Sequence, residues 1–421
     1  MKVTAIISEY NPYTKGHAYL LGRVKEELAP DYVISVMSGC FVQRGECAMW
    51  DKYTRTRMAL TCGMDMVIEL PFAYAAGSAF DFATGAVNLI NSLKTVDTIA
   101  FGAETTDSRL FDEVSDILVT EPSDFRESLR SGLSNGLSFP KARQRAILSC
   151  IKSDLKTRER DLAKLLSSPN NILALEYISA LKRTGSQTGF HIIERCGSAY
   201  SDEALSESSL NSALSIRNRY TESGIADIAQ AVPEECAPIL KDADSRLAPI
   251  TCDMLDSYLA YCVAMTDSPR DIYGFTDGIS GRYISLVKAS SPVTFKGFAE
   301  ELHTKDTTLA SVKRALLHLI AGYTESDRKL FAGNHDLSYA SVLGARKCAG
   351  ELIKAVTEAS SVPVITKKSE AIKKLRASEN AEALLRLWSL DVKTTALYNS
   401  LICSAYKTAA DNVYSAPLIM I

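Results

Sequence analysis

No Cys-x-x-C pair occurs in the 421 residues, and the ten cysteines are scattered without histidines at ligand spacing. That pattern excludes a zinc ribbon or finger and fits reduced thiols in a cytoplasm. Histidine is scarce: there are five in the chain, and His17 alone falls among the first 190 residues. No apolar run has the length of a membrane-spanning helix, so no membrane partner is expected. The first apolar run, Val3 to Ile7, is short and ends in a polar turn, which is not the layout of a signal peptide. A cytoplasmic location is therefore expected. Net charge is only −3, so any nucleic-acid contact must rest on a local patch rather than a global basic character. There is no internal repeat, no low-complexity tract, and no Ser/His/Asp or Cys/His constellation for covalent catalysis. No metal-ligand set is legible, and neither is the oligomeric state.

What is present is an ordinary globular composition, 46% hydrophobic and 23% charged, long enough for two or three cored domains. The first strand runs directly into Ser8-Glu9-Tyr10-Asn11-Pro12-Tyr13-Thr14-Lys15-Gly16-His17. Pro12 ends the strand, because it fixes its own φ and biases Asn11 away from helix. Ala18 to Leu28 reads as a helix with Leu20, Leu21, Val24 and Leu28 on one side. Gly16 lets backbone approach a ligand closely. A strand, a glycine-containing turn and a helix N-terminus make an anion site. His17 can reach phosphate oxygens there, with Lys15 adding charge; alternatively, His17 merely caps the helix.

Further strands are predicted at residues 31–37, 66–71 and 98–101, separated by helices at 50–62 and 78–93. This alternation predicts an α/β fold, a Rossmann-like doubly wound parallel sheet with its ligand at the carboxyl ends of the strands. Loops 11–17, 38–46 and 102–104 then gather on one edge. Residues 126–164 carry ten Lys or Arg against four acids, either a solvated helical face or a nucleic-acid patch. A helix opens at Ser168-Pro169-Asn170-Asn171, and His191 to Arg195 reads as the last strand of a first domain. The stretch Asn211 to Arg217 offers hydroxyls, Ser215 among them, and the Arg217 guanidinium to a phosphate chain. Beyond about residue 225 the spacing is mostly helical. The expected division is an α/β ligand-binding domain, 1–225, and a mostly helical positioning domain, 226–421.

The turn Thr14-Lys15-Gly16-His17 is similar to the T/H-x-G-H motif of the nucleotidyltransferase superfamily, which shares its adenylating fold with class I aminoacyl-tRNA synthetases. Further blocks follow in order: Met37 to Glu46, Asp65 to Pro71, Phe101-Gly102-Ala103-Glu104, Leu137 to Arg143, and Ser168 to Leu173. Together they resemble the bacterial tRNA(Met) cytidine acetate ligase family, over nearly the whole chain. The resemblance implies ATP-dependent activation of acetate to acetyl-adenylate. It also implies transfer of the acetyl group to the wobble cytidine of elongator tRNA(Met), giving N4-acetylcytidine, with Mg²⁺ arriving with ATP. It places catalysis on Lys15, Gly16 and His17. It places ATP contacts on Ile7, Ser8, Glu9, Tyr10, Asn11, Pro12, Tyr13, Thr14, Lys15, Gly16, His17, Ala18, Tyr19 and Leu20, then on Gly102, Asn170 and Arg195. Gln43 and Arg44, with Lys141, Arg143 and Arg145 of the basic stretch, are the expected tRNA contacts.

Each position has a plainer account beside this one. Gly102 ends a strand, Asn170 suits a helix N-cap, and Arg195 suits a surface strand. Two positions depart from the family pattern: Thr14 stands where histidine is usual, and Asp306 where arginine is expected, which bears on tRNA affinity. Two other readings share the His17 turn: a small-molecule adenylyltransferase of cofactor synthesis, and a non-catalytic tRNA-binding relative.

Overall fold

A computed structural model describes residues 1–151, 159–196, 210–246, 249–289, 293–305, 307–332, 337–409 and 413–421. Asp306 therefore lies outside the described residues, as do Lys152, Lys156 and Arg158 of the basic stretch.

The strands are β1 (Val3–Ser8), β2 (Tyr32–Ser38), β3 (Phe41–Val42), β4 (Glu46–Cys47), β5 (Met66–Leu70), β6 (Thr98–Ala103), β7 (Gly189–Glu194), β8 (Ala340–Ala345), β9 (Val364–Ile365) and β10 (Ile419–Met420). The helices that matter for the site are α1 (Lys15–Leu28), α2 (Lys52–Thr61), α3 (Ala79–Leu93), α4 (Pro169–Arg183), α5 (Ala213–Ser223), α6 (Leu309–Ala321) and α7 (Ala381–Tyr406). One sheet runs β10-β8-β5-β2-β1-β6-β7, with β9 beside β8; β3 and β4 form a separate hairpin.

From β5 to β7 every pairing is parallel. The chain winds outward from β1 through β2 to β5, then crosses back over β1 to β6 and β7. Connections on either side of β1 therefore leave in opposite directions, and a crevice opens at the carboxyl ends of β1 and β6. The strands are apolar almost throughout because both faces are covered. Alternation sends Val3, Ala5 and Ile7 into the core under α3 and α4, and Ile6 into the core under α1 and α2.

The expected division after residue 225 does not coincide with a break in the sheet. β8 lies antiparallel against β5, with Met66 opposite Ala345 and Glu69 opposite Ser341, and β9 and β10 join it from the same half of the chain. Six mostly apolar residues, buried on both faces, have no alternation to mark them as strand rather than helix. A third core joins the two halves: Phe41 and Cys47 of the hairpin and Phe72 beyond β5 pack with Phe298, Leu316 and Trp388 from the helical portion. Glu69 on β5 pairs with Lys52 of α2 at 2.7 Å, and Lys368 donates to Ser341 beside them. Lys368 is thus buried between the halves.

Candidate active site at the strand-order reversal

The turn after β1 is set by its own side chains. Thr14, in extended backbone with φ −116° and ψ 166°, is the N-cap of α1, and His17 is the third residue of the helix. Thr14 Oγ1 accepts from the His17 N–H at 3.3 Å, while the Thr14 N–H donates to His17 Nδ1 at 3.0 Å. This is a capping box with histidine in the place usually held by Glu or Gln. Since Nδ1 accepts, the neutral ring carries its proton on Nε2. The buried Tyr10 and Tyr13 rings flank the imidazole at 4.9 and 5.5 Å between centroids. Burial, with a smaller contribution from the nearby Arg195 charge, lowers the His17 pKa to about 3. His17 is therefore neutral at physiological pH, a hydrogen-bond donor through Nε2–H. The two readings of this residue coincide: it helps cap the helix and it lines the cleft.

The cleft, with a cavity volume of about 200 Å³, lies at the reversal between β1 and β6. Its far wall is β6 with β7. Gly102 pairs with Ile193, and a Cβ at position 102 would lie 3.0 Å from Arg195 Cγ. The missing side chain makes room for Arg195 to lie across the strand end, where its backbone N–H donates to Ala103 at 2.9 Å. Asn170 lines the same wall, but it is not an N-cap. Ser168 holds that position, with Pro169 first in the helix. The Asn170 amide instead donates to Glu104 Oε1 at 2.6 Å, and Glu104 Oε2 accepts from the Asn171 N–H at 2.9 Å. That pair ties the loop after β6 to the start of α4.

The near wall is the β3–β4 hairpin. Glu9 Oε1 accepts from the Gln43 N–H at 2.9 Å. Burial raises the Glu9 pKa, against the opposing pull of the Gln43 N–H, Arg217 and Arg44. Arg217 of α5 donates to the Asn11 carbonyl at 2.8 Å and lies 3.9 Å from Glu46 Oε2, while Lys313 of α6 pairs with Glu46 Oε1 at 2.6 Å. Asn11 Oδ1 accepts from the Met49 N–H at 2.9 Å. Strand, hairpin and two helices from later in the chain thus converge on one turn.

Of the expected nucleotide contacts, Ile7, Ser8, Glu9, Tyr10, Asn11, Thr14, Gly16, His17, Tyr19, Leu20, Gly102, Asn170 and Arg195 line the cleft, as do Gln43 and Arg217. Pro12, Tyr13, Lys15 and Ala18 stand behind or beside that wall. Ser215 is fully buried, and its hydroxyl donates to the Ser212 carbonyl at 2.9 Å, so it turns into the cap of α5 rather than into the cleft. Arg143 pairs with Glu176 at 2.8 Å, whereas Lys141 and Arg145 on the same helix are exposed. Arg44 lies in the hairpin turn. Sequence reasoning missed the apolar lining, Phe82, Phe101, Leu173 and Tyr177. A four-residue spacing links the last two on one side of α4, and that spacing was the available signal.

A cleft at the strand-order reversal, lined by a helix N-terminus, a neutral histidine and two arginines, defines a nucleotidyltransferase-type site. The sequence profile of the HIGH Nucleotidyl Transferase family matches residues 1–412, and the chain belongs to that family. Within it, the chain belongs with the tRNA(Met) cytidine acetate ligases. It is 34% identical over 404 residues to the one of Thermoanaerobacter sp. (strain X514), covering 96% of this chain and 97% of that one. It is 33% identical over 424 residues to the one of Halothermothrix orenii, covering 100% and 99%. A crystal structure of Thermotoga maritima TmcAL bound with alpha-thio ATP superposes with a TM-score of 0.90 at 28% identity, over the whole of both chains.

Proposed function

We propose that this chain activates acetate with ATP and passes the acetyl group to the N4 amine of the wobble cytidine in elongator tRNA(Met). The observation that carries the reading is His17, held neutral by the Thr14 N–H and burial, with Arg195 and Arg217 on the same cleft.

In the first step an acetate oxygen attacks the α-phosphorus, a P–O bond forms, and the bond to pyrophosphate breaks. Charge gathers on the equatorial oxygens and on the leaving pyrophosphate. His17 Nε2–H and the open N–H groups of the first turn of α1 are placed to stabilise it, because preformed donors need no reorganisation. Arg195 and Arg217 supply positive charge, and Lys15 adds to it from beside the wall. Gly102 and Asn170 would lie against the nucleoside, where the apolar face of Phe101 and Leu173 suits a base. In the second step the cytidine amine attacks the acetyl carbon and AMP leaves. Neither step needs a nucleophile from the protein.

Among the described residues no group of three or more His, Cys, Asp or Glu is placed to hold a metal ion. In this reading Mg²⁺ accompanies the ATP phosphates, and its chemistry is charge neutralisation there. Gln43 and Arg44 at the mouth, with exposed Lys141 and Arg145, are the proposed tRNA contacts. No helix among the described residues is long and apolar enough to cross a membrane; a cytoplasmic site of action goes with a tRNA substrate.

The test is incubation of the purified protein with ATP, labelled acetate and total bacterial tRNA. Label entering tRNA at cytidine supports the reading. Pyrophosphate release that ignores both acetate and tRNA would overturn it.

A further inference from the structure

We propose that Glu9 is the general base of the transfer step, accepting the proton that the cytidine N4 amine loses as it attacks acetyl-adenylate. This rests on the acetylation reading above and assigns a residue that its adenylation step leaves without a task.

Glu9 follows β1 directly, at the reversal, with its carboxylate against the β3–β4 hairpin turn. It is half-buried and lines the cleft that holds His17. A carboxylate in that place would repel phosphate oxygens, which makes it unsuited to holding the triphosphate. Its surroundings hold it in one pose: Oε1 takes the Gln43 N–H at 2.9 Å, and the Glu9 backbone carbonyl takes Arg55 Nη1 at 2.7 Å. Among the described residues Oε2 has no hydrogen-bond partner. An ordered carboxylate with one anchored oxygen and one unengaged oxygen facing a reaction cleft has the geometry of a general base.

The charged and titratable groups around it come from three elements. Arg44 and Glu46 belong to the hairpin, Arg217 to α5 and Tyr177 to α4. Arg217 is already engaged by the Asn11 carbonyl and Glu46, so Glu9 is not needed to orient it. Burial raises the Glu9 pKa more than the two arginines lower it, which brings the carboxylate closer to the basicity that proton transfer near neutral pH favours.

The step balances. The N4 lone pair forms the bond to the acetyl carbon. The bond from that carbon to the phosphate oxygen breaks, and its electrons leave with AMP. The N4 proton moves to Glu9 Oε2 and is later returned to water. The amine lone pair is delocalised into the pyrimidine ring, so removing this proton as the bond forms is where catalysis is needed, whereas AMP leaves without help from an acid.

The experiment compares wild type with Glu9→Gln, whose amide oxygen can still accept from the Gln43 N–H. Acetate-dependent ATP–pyrophosphate exchange reports the first step, and single-turnover transfer from preformed acetyl-adenylate to tRNA reports the second. The expected result is a transfer-to-exchange ratio lowered about 100-fold in Glu9→Gln, in the range of a lost general base. The rise of the wild-type transfer rate with pH should disappear, and Glu9→Asp should restore part of it. Equal loss of both steps, or transfer at the wild-type rate, would overturn the role. Absence of acetate-dependent exchange in the wild type would overturn the acetylation reading, and this role with it.

Discussion

Thr14 and His17 hold each other at both ends of one helical turn, the Thr14 N–H on His17 Nδ1 at 3.0 Å and the His17 N–H on Thr14 Oγ1 at 3.3 Å. The backbone N–H of Thr14 therefore fixes the histidine's tautomer, and its side chain caps the same turn. In the proposed reaction, removing the imidazole removes the Nε2–H donor assigned to the α-phosphorus. His17→Ala should lower acetate-dependent pyrophosphate exchange by about 100-fold or more, the scale of a lost transition-state donor. Binding of tRNA, measured by filter retention, should stay near normal; loss of both would mean that the residue is purely structural.

The cap itself can be tested apart from the ring. Thr14→Ala keeps the backbone N–H that orients Nδ1 but loses the Oγ1 acceptor, and loss of such a cap costs about 1 kcal/mol. The midpoint of urea denaturation should fall accordingly, with exchange reduced and not abolished. Thr14→Ser should restore both.

Burial gives His17 a pH signature of defined sign. Its folded-state pKa is about 3, below the ordinary 6.5. Between those values the unfolded chain binds a proton that the folded chain refuses, so this group lowers stability as pH falls from about 6.5 toward 3. His318 acts in the same direction: burial lowers its pKa to about 4, against the opposing pull of the Tyr273 and Ala76 carbonyls beside its ring nitrogens. Denaturation curves collected from pH 7 to pH 4 should show this loss, and the slope should be shallower in His17→Gln. Exchange activity should show no acid limb near pH 6.5 attributable to His17.

Much of the frame was legible before any coordinates. β1, β2, β5 and β6 are strongly apolar segments bounded by glycine, proline or polar turns, and local signals suffice for such elements. The same holds for the His17 turn, where strand, Pro12, Gly16 and helix are contiguous. What could not be read depends on partners far away in sequence. Ser215 looks like a phosphate ligand until its hydroxyl is seen bonded within its own helix cap. Asn170 looks like an N-cap until Glu104, from the next loop but one along the sheet edge, takes its amide. β8 is a short apolar run whose strand identity comes from β5, β9 and β10 beside it. The division at residue 225 followed local periodicity, whereas the sheet follows pairing between residues about 280 apart, as Met66 and Ala345 illustrate.

Gly102 and Arg195 provide a steric test of the far wall. A methyl group at position 102 would meet Arg195 Cγ at 3.0 Å, closer than ordinary contact, so the arginine must shift by a few tenths of an ångström. Because that side chain is flexible, Gly102→Ala should fold with little change in melting temperature. The displaced guanidinium should instead show itself in nucleotide affinity, as a several-fold higher KM for ATP with a smaller change in kcat. Unchanged KM would mean that Arg195 does not face the nucleotide.

The hairpin gives the sharpest stability prediction, and it links the cleft to the helical half. Gly45 has φ +73°, and a Cβ there would lie 2.4 Å from the Arg314 backbone nitrogen and 2.7 Å from the Lys313 carbonyl carbon. Here the obstacle is helix backbone, which cannot rotate aside, and the positive φ adds strain for any residue with a Cβ. Gly45→Ala must push the β3–β4 turn off α6. That would lengthen the 2.6 Å pair between Lys313 and Glu46 and the 3.1 Å bond from Arg314 to the Gln43 carbonyl. Since Gln43 in turn anchors Glu9, the effect should reach the chemistry. The expected outcome is a loss of about 2 kcal/mol or more in denaturation, of the order of other overpacked backbone contacts. Transfer to tRNA should fall further than pyrophosphate exchange. Lys313→Ala, which breaks the ion pair without moving backbone, should cost no more than about 1 kcal/mol, as expected for a partly exposed pair. A variant pair with the reverse ranking would show that the hairpin is held by charge rather than by close backbone packing.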